Sequence, residues 1–224
     1  MIYVFPHCKK HEKELETVNG ISRLYAYPGI PRFENNADIT ILDSGAYGLS
    51  KSGGRITPYY MEKLSHHYET YYRDNVYCVA PDVYLDWYNS VKNFKKWRSL
   101  GLFENIIPIL QAEKEHEVNL DQLKKQADYY AKYSDVIFYS NPALTGRSAK
   151  AKGIEKLFEY MKNELGIKWT HCLGAGWNLD DISVWTGMRH LDSFDSIAYY
   201  SGDEIEFGSS DILQRVRNIL SVVR

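Results

Sequence analysis

The sequence predicts an α/β fold, a (β/α)8 TIM-like barrel, built as one domain over residues 1–224. Three observations predict it. Short runs rich in Val, Ile, Tyr and Phe recur along the chain. From the third run onward they alternate with amphipathic stretches. The length of 224 residues falls in the range of about 200 to 250 that one such barrel takes. Strands alternating with helices imply βαβ units and a parallel sheet, and near-continuous apolar strands imply a sheet covered on both faces. A doubly wound open sheet fits the same alternation; the number of runs and the chain length favour closure.

The runs, in order, are IYVF (2–5), RLYAY (23–27), ITILD (39–43), VYCVA (76–80), IIPIL (106–110), DVIFYS (135–140), WTHCL (169–173) and DSIAYY (195–200). Each is short, β-branched or aromatic, and bounded by polar or turn residues, as strands are. The amphipathic stretches are 57–74, 85–100, 119–133, 148–165, 178–190 and 209–223. Several open on Ser, Thr, Asp or Asn, whose side-chain oxygens cap the free N–H groups of a first helical turn. The first two connections, 7–22 and 28–38, have poor helical periodicity, and the second carries the breakers Pro28, Gly29 and Pro31.

Composition narrows the classes of function. A formal net charge of −2 gives no global attraction to a polyanion, so nucleic acid would need a local patch. The apolar start stops at a charged segment, which suits a first strand better than a secretion signal. No stretch is long and apolar enough to span a membrane. Cys8, Cys78 and Cys172 are too scattered for a disulfide framework, and a reduced, cytoplasmic protein is expected.

In parallel α/β folds chemistry gathers at the carboxyl ends of the strands, where loops converge and helix N-termini point. Polar residues read off there are Asp43, Ser44 and Gly45 after ITIL; Asp82 after VYCVAP; Gln111 after IIPIL; Ser140 and Asn141 after DVIFY; and Gly174 and Gly176 after WTHCL. Asp195 stands at the start of the last run. Several carboxylates and a carboxamide on one rim can perform nucleophilic and acid/base work on an uncharged substrate. Strand-terminating caps are the equal alternative on spacing alone.

Longer phrases go further. DSGAYGL at 43–49, with ITPYYMEKL at 56–64, resembles the DSGG(F/Y)Q loop and Thr-Pro helix of the tRNA-guanine transglycosylase family. HCLGAGWNLDDISVWTGMRHLDSFDSIAYY at 171–200 is similar to that family's strand seven, glycine turn, helix and FDC-type strand eight. PILQ (108–111) resembles its VQG strand end, and APD (80–82) takes the place of its strand-four aspartate. The likeness runs in order over most of 39–200.

The resemblance implies a pentosyltransferase that replaces guanine with a 7-deazaguanine (preQ0-like) base through a covalent glycosyl-aspartate. Asp195 matches the nucleophile and Asp43 the general base. Ser44, Gly45, Tyr47, Asp82, Gln111, Ser140, Asn141 and Gly174 match base-binding positions, with Tyr47 stacking and Asp82 and Gln111 reading the guanine edge. No redox cofactor or metal is implied.

Departures bear on the partner. SNPALTGR (140–147) replaces a glycine-rich strand end, Gly48 replaces a Gln, and AYYSG (198–202) replaces PTR. The chain ends at Arg224 without the CxCxxC…H zinc subdomain of tRNA-type members. In this it resembles the short DNA-modifying branch, the 7-deazaguanine DNA transglycosylases of bacterial or phage-infected cytoplasm. DNA is therefore the expected polymer. tRNA, a nucleoside N-glycosidase or base-exchange activity, and an inactive binding subunit of a modification complex stay open, as does a homodimer. Arg55, Arg147, Lys150 and Lys152 are the candidate phosphate contacts. Lys92, Lys95, Lys96 and Arg98 around Trp97 read as a solvated helix face, HCKKH (7–11) as loop chemistry, and His66 and His67 as the edge of a packing face. His171 reads as a core histidine.

Overall fold

The computed structural model describes residues 1–18, 20–31, 39–101, 106–176, 178–197 and 211–223. Its chain order is β1 (Ile2–Pro6), α1 (Glu12–Leu15), β2 (Ser22–Ala26), β3 (Thr40–Asp43), α2 (Ala46–Lys51), α3 (Pro58–Tyr71), β4 (Val76–Val79), α4 (Trp87–Leu100), β5 (Ile106–Ile107), β6 (Ile109–Leu110), α5 (Leu120–Tyr130), β7 (Val136–Ser140), α6 (Gly146–Ala151), α7 (Ile154–Asn163), β8 (Trp169–Leu173), α8 (Leu179–Thr186), β9 (Ser193–Asp195) and α9 (Ile212–Val223). All pairings are parallel, in the order β5-β4-β3-β2-β1-β9-β8-β7-β6. The sheet curls into a TIM-like barrel.

The barrel meets itself at the run 106–110, predicted as one strand and observed as two. Pro108 has no N–H to give a ladder. Ile106–Ile107 therefore pairs with β4 and Ile109–Leu110 with β7, and the Pro108 carbonyl accepts from Phe138 N–H at 3.0 Å.

Side chains alternate between two faces of each strand. One set, Val4, Leu24, Ile41, Val79, Ile107, Ile109 and Phe138, packs together as a buried cluster inside the barrel. The other, including Phe5, Tyr25, Leu42, Cys78, Leu110, Tyr139, Cys172 and Phe194, packs against the helices. The same alternation puts Asp43 in line with Ile41, Ser140 with Phe138, and Asp195 with Ser193.

Five helices open on a side-chain cap. Thr57, Asp86, Asn119, Thr145 and Asn178 each accept a backbone N–H of the first turn, and Pro58 sits at the first position of α3, where its missing N–H costs nothing. Several boundaries differ from expectation, and α2 (Ala46–Lys51) was not expected. The stretch 148–165 is two helices, broken at Gly153, whose φ of +78° leaves the helical region. Among the described residues the last strand is Ser193–Asp195, so Asp195 closes that strand rather than opening it. Of the expected strand 195–200, residues 198–200 lie outside the described residues, as do 209–210 at the expected start of the last helix. Between β1 and β2 the chain forms one short turn of helix, α1. No helix among the described residues is long and apolar enough to cross a membrane.

Candidate active site

A cavity of ≈ 630 Å³ opens at the carboxyl ends of the strands. Three carboxylates line it: Asp43 from β3, Asp82 beyond β4 and Asp195 from β9. Much of the remaining wall is apolar or aromatic, with Tyr27, Tyr47, Tyr60, Tyr84, Leu49 and Ile197. Among the described residues the wall carries no Lys or Arg.

The DSGAY segment folds as a tight turn into α2. The Asp43 carboxylate accepts the Gly45 N–H at 3.0 Å. Gly45 is required here: its φ is +74°, and an added Cβ would lie 2.5 Å from the Tyr27 carbonyl oxygen. The Tyr60 hydroxyl donates to the Ser44 carbonyl at 2.6 Å, pinning the turn from α3. Burial first, then the charge of Asp82, raises the Asp43 carboxyl from 3.8 to about 7, against the Gly45 hydrogen bond. A carboxylate losing water beside another carboxylate holds its proton longer.

Asp82 is 6% exposed and held on both oxygens. Ser44 Oγ donates to Oδ1 at 2.5 Å, and Gln111 Nε2 donates to Oδ2 at 2.6 Å. Burial raises its carboxyl to about 6, against the Ser44 hydrogen bond. Ser44 and Gln111 are both fully buried and do not line the cavity, which corrects their expected place beside the base. They stand behind Asp82 and orient it. Gln126 secures the backbone of Gln111 with two hydrogen bonds of 2.9 Å each.

Asp195 is gripped from the adjoining strand. Its Oδ1 accepts from His171 Nε2 at 3.1 Å and from Gly174 N–H at 3.2 Å. Its carbonyl accepts from Ala175 N–H at 2.8 Å. Gly176 is fixed by close approach, since a Cβ there would lie 2.5 Å from Asp181 Cβ. The glycine turn thus wraps the end of β9.

Other expected residues separate into two groups. Gly45, Tyr47, Ser140, Asn141 and Gly174 reach the wall. Asn141, however, spends its amide on structure, donating to Leu144 O at 2.9 Å and Gly174 O at 2.8 Å. Arg55, Arg147, Lys150 and Lys152 are exposed and outside the cavity; Arg147 pairs with Asp180 at 3.1 Å, both 78% exposed.

Sequence reasoning does not place His7, Tyr27, Tyr60 or Tyr84 at the site, although all line the cavity. His7 directly follows β1 and Tyr84 is two residues past Asp82, so proximity to a strand end was the available signal. His7 Nδ1 lies 2.8 Å from the buried Glu12 carboxylate, which also takes Arg23 at 2.7 Å. Tyr47 and Tyr84 meet edge to face at 5.0 Å, and Lys51 lies over both rings. Trp97 packs in the core beneath the exposed lysines of α4, which form a solvated face.

No family model matches this chain, and no curated protein matches it either.

Proposed function

We propose that the protein is a base-exchange transglycosylase that replaces guanine in DNA with a 7-deazaguanine base through a glycosyl ester on Asp195. The observation that carries this reading is the convergence of Asp43, Asp82 and Asp195 on one largely apolar cavity, each held differently. The order of motifs from DSGAY to SFDS, similar to that of the transglycosylases, supports it.

The chemistry balances within these residues. Asp195 attacks the sugar C1′, and the electron pair of the breaking C–N bond leaves with guanine, which takes a proton from Asp43. The incoming base then gives a proton to Asp43, and its nitrogen displaces Asp195 from C1′. Two displacements at one carbon retain configuration. A carboxyl that titrates at about 7 suits this alternation, because acid and base forms are both populated near neutral pH. Asp82 has a lone pair left on each oxygen for a guanine N1–H and 2-amino group. Tyr47 and Tyr84 offer a wall for a planar ring.

With no Lys or Arg on the described wall, the phosphates of a polymer would lie outside, toward Arg147, Lys150, Lys152 and Arg55. The same feature favours a second reading, exchange or hydrolysis on an uncharged nucleoside. Incubation with labelled guanine and, separately, DNA, tRNA and nucleosides distinguishes them. Label entering DNA is expected; label entering only the nucleoside selects the second reading. No incorporation and no release of base from any of them leaves a binding subunit.

A further inference from the structure

We infer that His171 is a positioning residue for Asp195: its Nε2–H fixes Oδ1 and leaves Oδ2 as the attacking oxygen. The inference rests on the base-exchange reading for its chemistry, but its hydrogen-bond assignment stands on the geometry alone.

His171 is fully buried within the barrel wall, in register with Ser193 of β9 and Phe138 of β7. Its Nδ1 is 2.9 Å from Ser193 Oγ and its Nε2 is 3.1 Å from Asp195 Oδ1. Trp169 Nε1 is 2.7 Å from the same Ser193 Oγ. Donor bookkeeping sets the direction of this file. An indole N–H only donates, so Ser193 accepts from Trp169 and keeps its own hydrogen for His171 Nδ1. A carboxylate only accepts, so Nε2 carries the hydrogen facing Asp195. Side chains at 169 and 171 on β8, and at 193 and 195 on β9, share one face by the two-residue period. The file therefore runs up the inside of the barrel and ends at the cavity.

The consequence falls on the two oxygens of Asp195. Oδ1 receives two N–H donors, from His171 and Gly174, which use both of its lone pairs. Oδ2 has no hydrogen-bond partner among the described residues, and Asp195 lines the cavity. In the first displacement a bond forms between Oδ2 and C1′ while the C–N bond breaks. The ester carbonyl is then C–Oδ1, still held by the same donors. In the second, the C1′–Oδ2 bond breaks and its electron pair returns to a carboxylate already seated. A core histidine with no such role would need only to be satisfied; this one is aimed.

The test combines ring nitrogen NMR on the whole chain with rates of covalent adduct formation on DNA in wild type, His171→Phe, His171→Gln and Ser193→Ala, each checked by thermal unfolding. The long-range ¹⁵N spectrum is expected to show His171 protonated at Nε2. His171→Phe, which keeps a ring but no donor, should slow adduct formation on the order of 10²-fold, the scale of a misplaced reacting group, with the affinity for free guanine unchanged. His171→Gln, which can present an amide N–H near Nε2, should recover part of that loss. Ser193→Ala should cost less than His171→Phe and carries the test if that variant does not fold. An unprotonated Nε2, or wild-type adduct rates in His171→Phe or, where that chain is unfolded, in Ser193→Ala, overturns the inference. Protonated Nε2 with no adduct in the wild-type chain overturns the base-exchange reading instead and leaves the hydrogen-bond assignment in place.

Discussion

Two sides of one cavity hold the same residue type in opposite ways. On the β3–β4 side, half-buried Asp43 and buried Asp82 take neutral donors, Gly45 N–H, Ser44 and Gln111, and both carboxyls rise toward neutrality. On the β8–β9 side, one oxygen of Asp195 is gripped by a histidine below it and by a backbone N–H. The first arrangement suits a group that trades protons, the second a group whose orientation matters. Environment rather than residue identity divides the labour.

The comparison breaks most sharply if the two sides prove interchangeable. Asp195→Asn, which keeps the shape, is expected to lower base exchange by on the order of 10⁴-fold or more, the scale of losing a covalent nucleophile. Asp43→Asn should cost about 10²–10⁴-fold, the usual share of a general acid/base, and should also remove the limb of the pH–rate profile near 7 that belongs to Asp43. Equal losses with an unchanged pH profile would merge the two roles.

Stability offers a sharper contrast. Asp43 and Asp82 bind protons more tightly folded than unfolded, so the folded state carries more protons between about 4 and 7. Their contribution is fully present below the unfolded value of 3.8 and is lost as pH rises through about 6 and about 7. Asp43→Asn removes one such carboxyl and should raise stability at pH 8 by roughly 1–4 kcal/mol, with little gain at pH 4. Denaturant titrations at the two pH values measure it.

Smaller effects test the supports. Gln111→Leu frees Asp82 Oδ2 while leaving the Gln126 bonds to the backbone in place. It should raise KM for the incoming base roughly 10-fold, the worth of one hydrogen bond to a charged group. Arg147→Ala removes a pair that is 78% exposed on both sides and should change stability by less than about 0.5 kcal/mol; its effect should appear only as weaker, salt-sensitive polymer binding.

Much of this was legible in the chain because the strand period of two is rigid. Asp43 after ITIL could be placed at the rim, and the caps located several helices to within a few residues. Asp195, read as opening a strand over 195–200, instead ends β9, and only the SFDS phrase pointed to it. What the sequence hid follows from contacts between strands. Ser44 neighbours Asp43 but faces the other way, and only the fold brings it to Asp82, 38 positions on. Gln111 sits at a strand end as expected, yet Asp82 lies between it and the cavity. His171 looks like any core histidine until β9 is laid beside β8 and Ser193 and Asp195 bracket its ring. The single strand expected at 106–110 failed for a local reason, the missing N–H of Pro108, at the seam where the barrel closes.

The central claim, that Asp195 is the nucleophile and Asp43 the proton carrier, is tested most directly by stopping the reaction with acid and mapping the adduct by peptide mass spectrometry. The account predicts a sugar-linked mass on the peptide containing Asp195, accumulating when the incoming base is withheld and absent in Asp195→Asn. An adduct on the Asp43 peptide, or turnover that persists in Asp195→Asn, would contradict it.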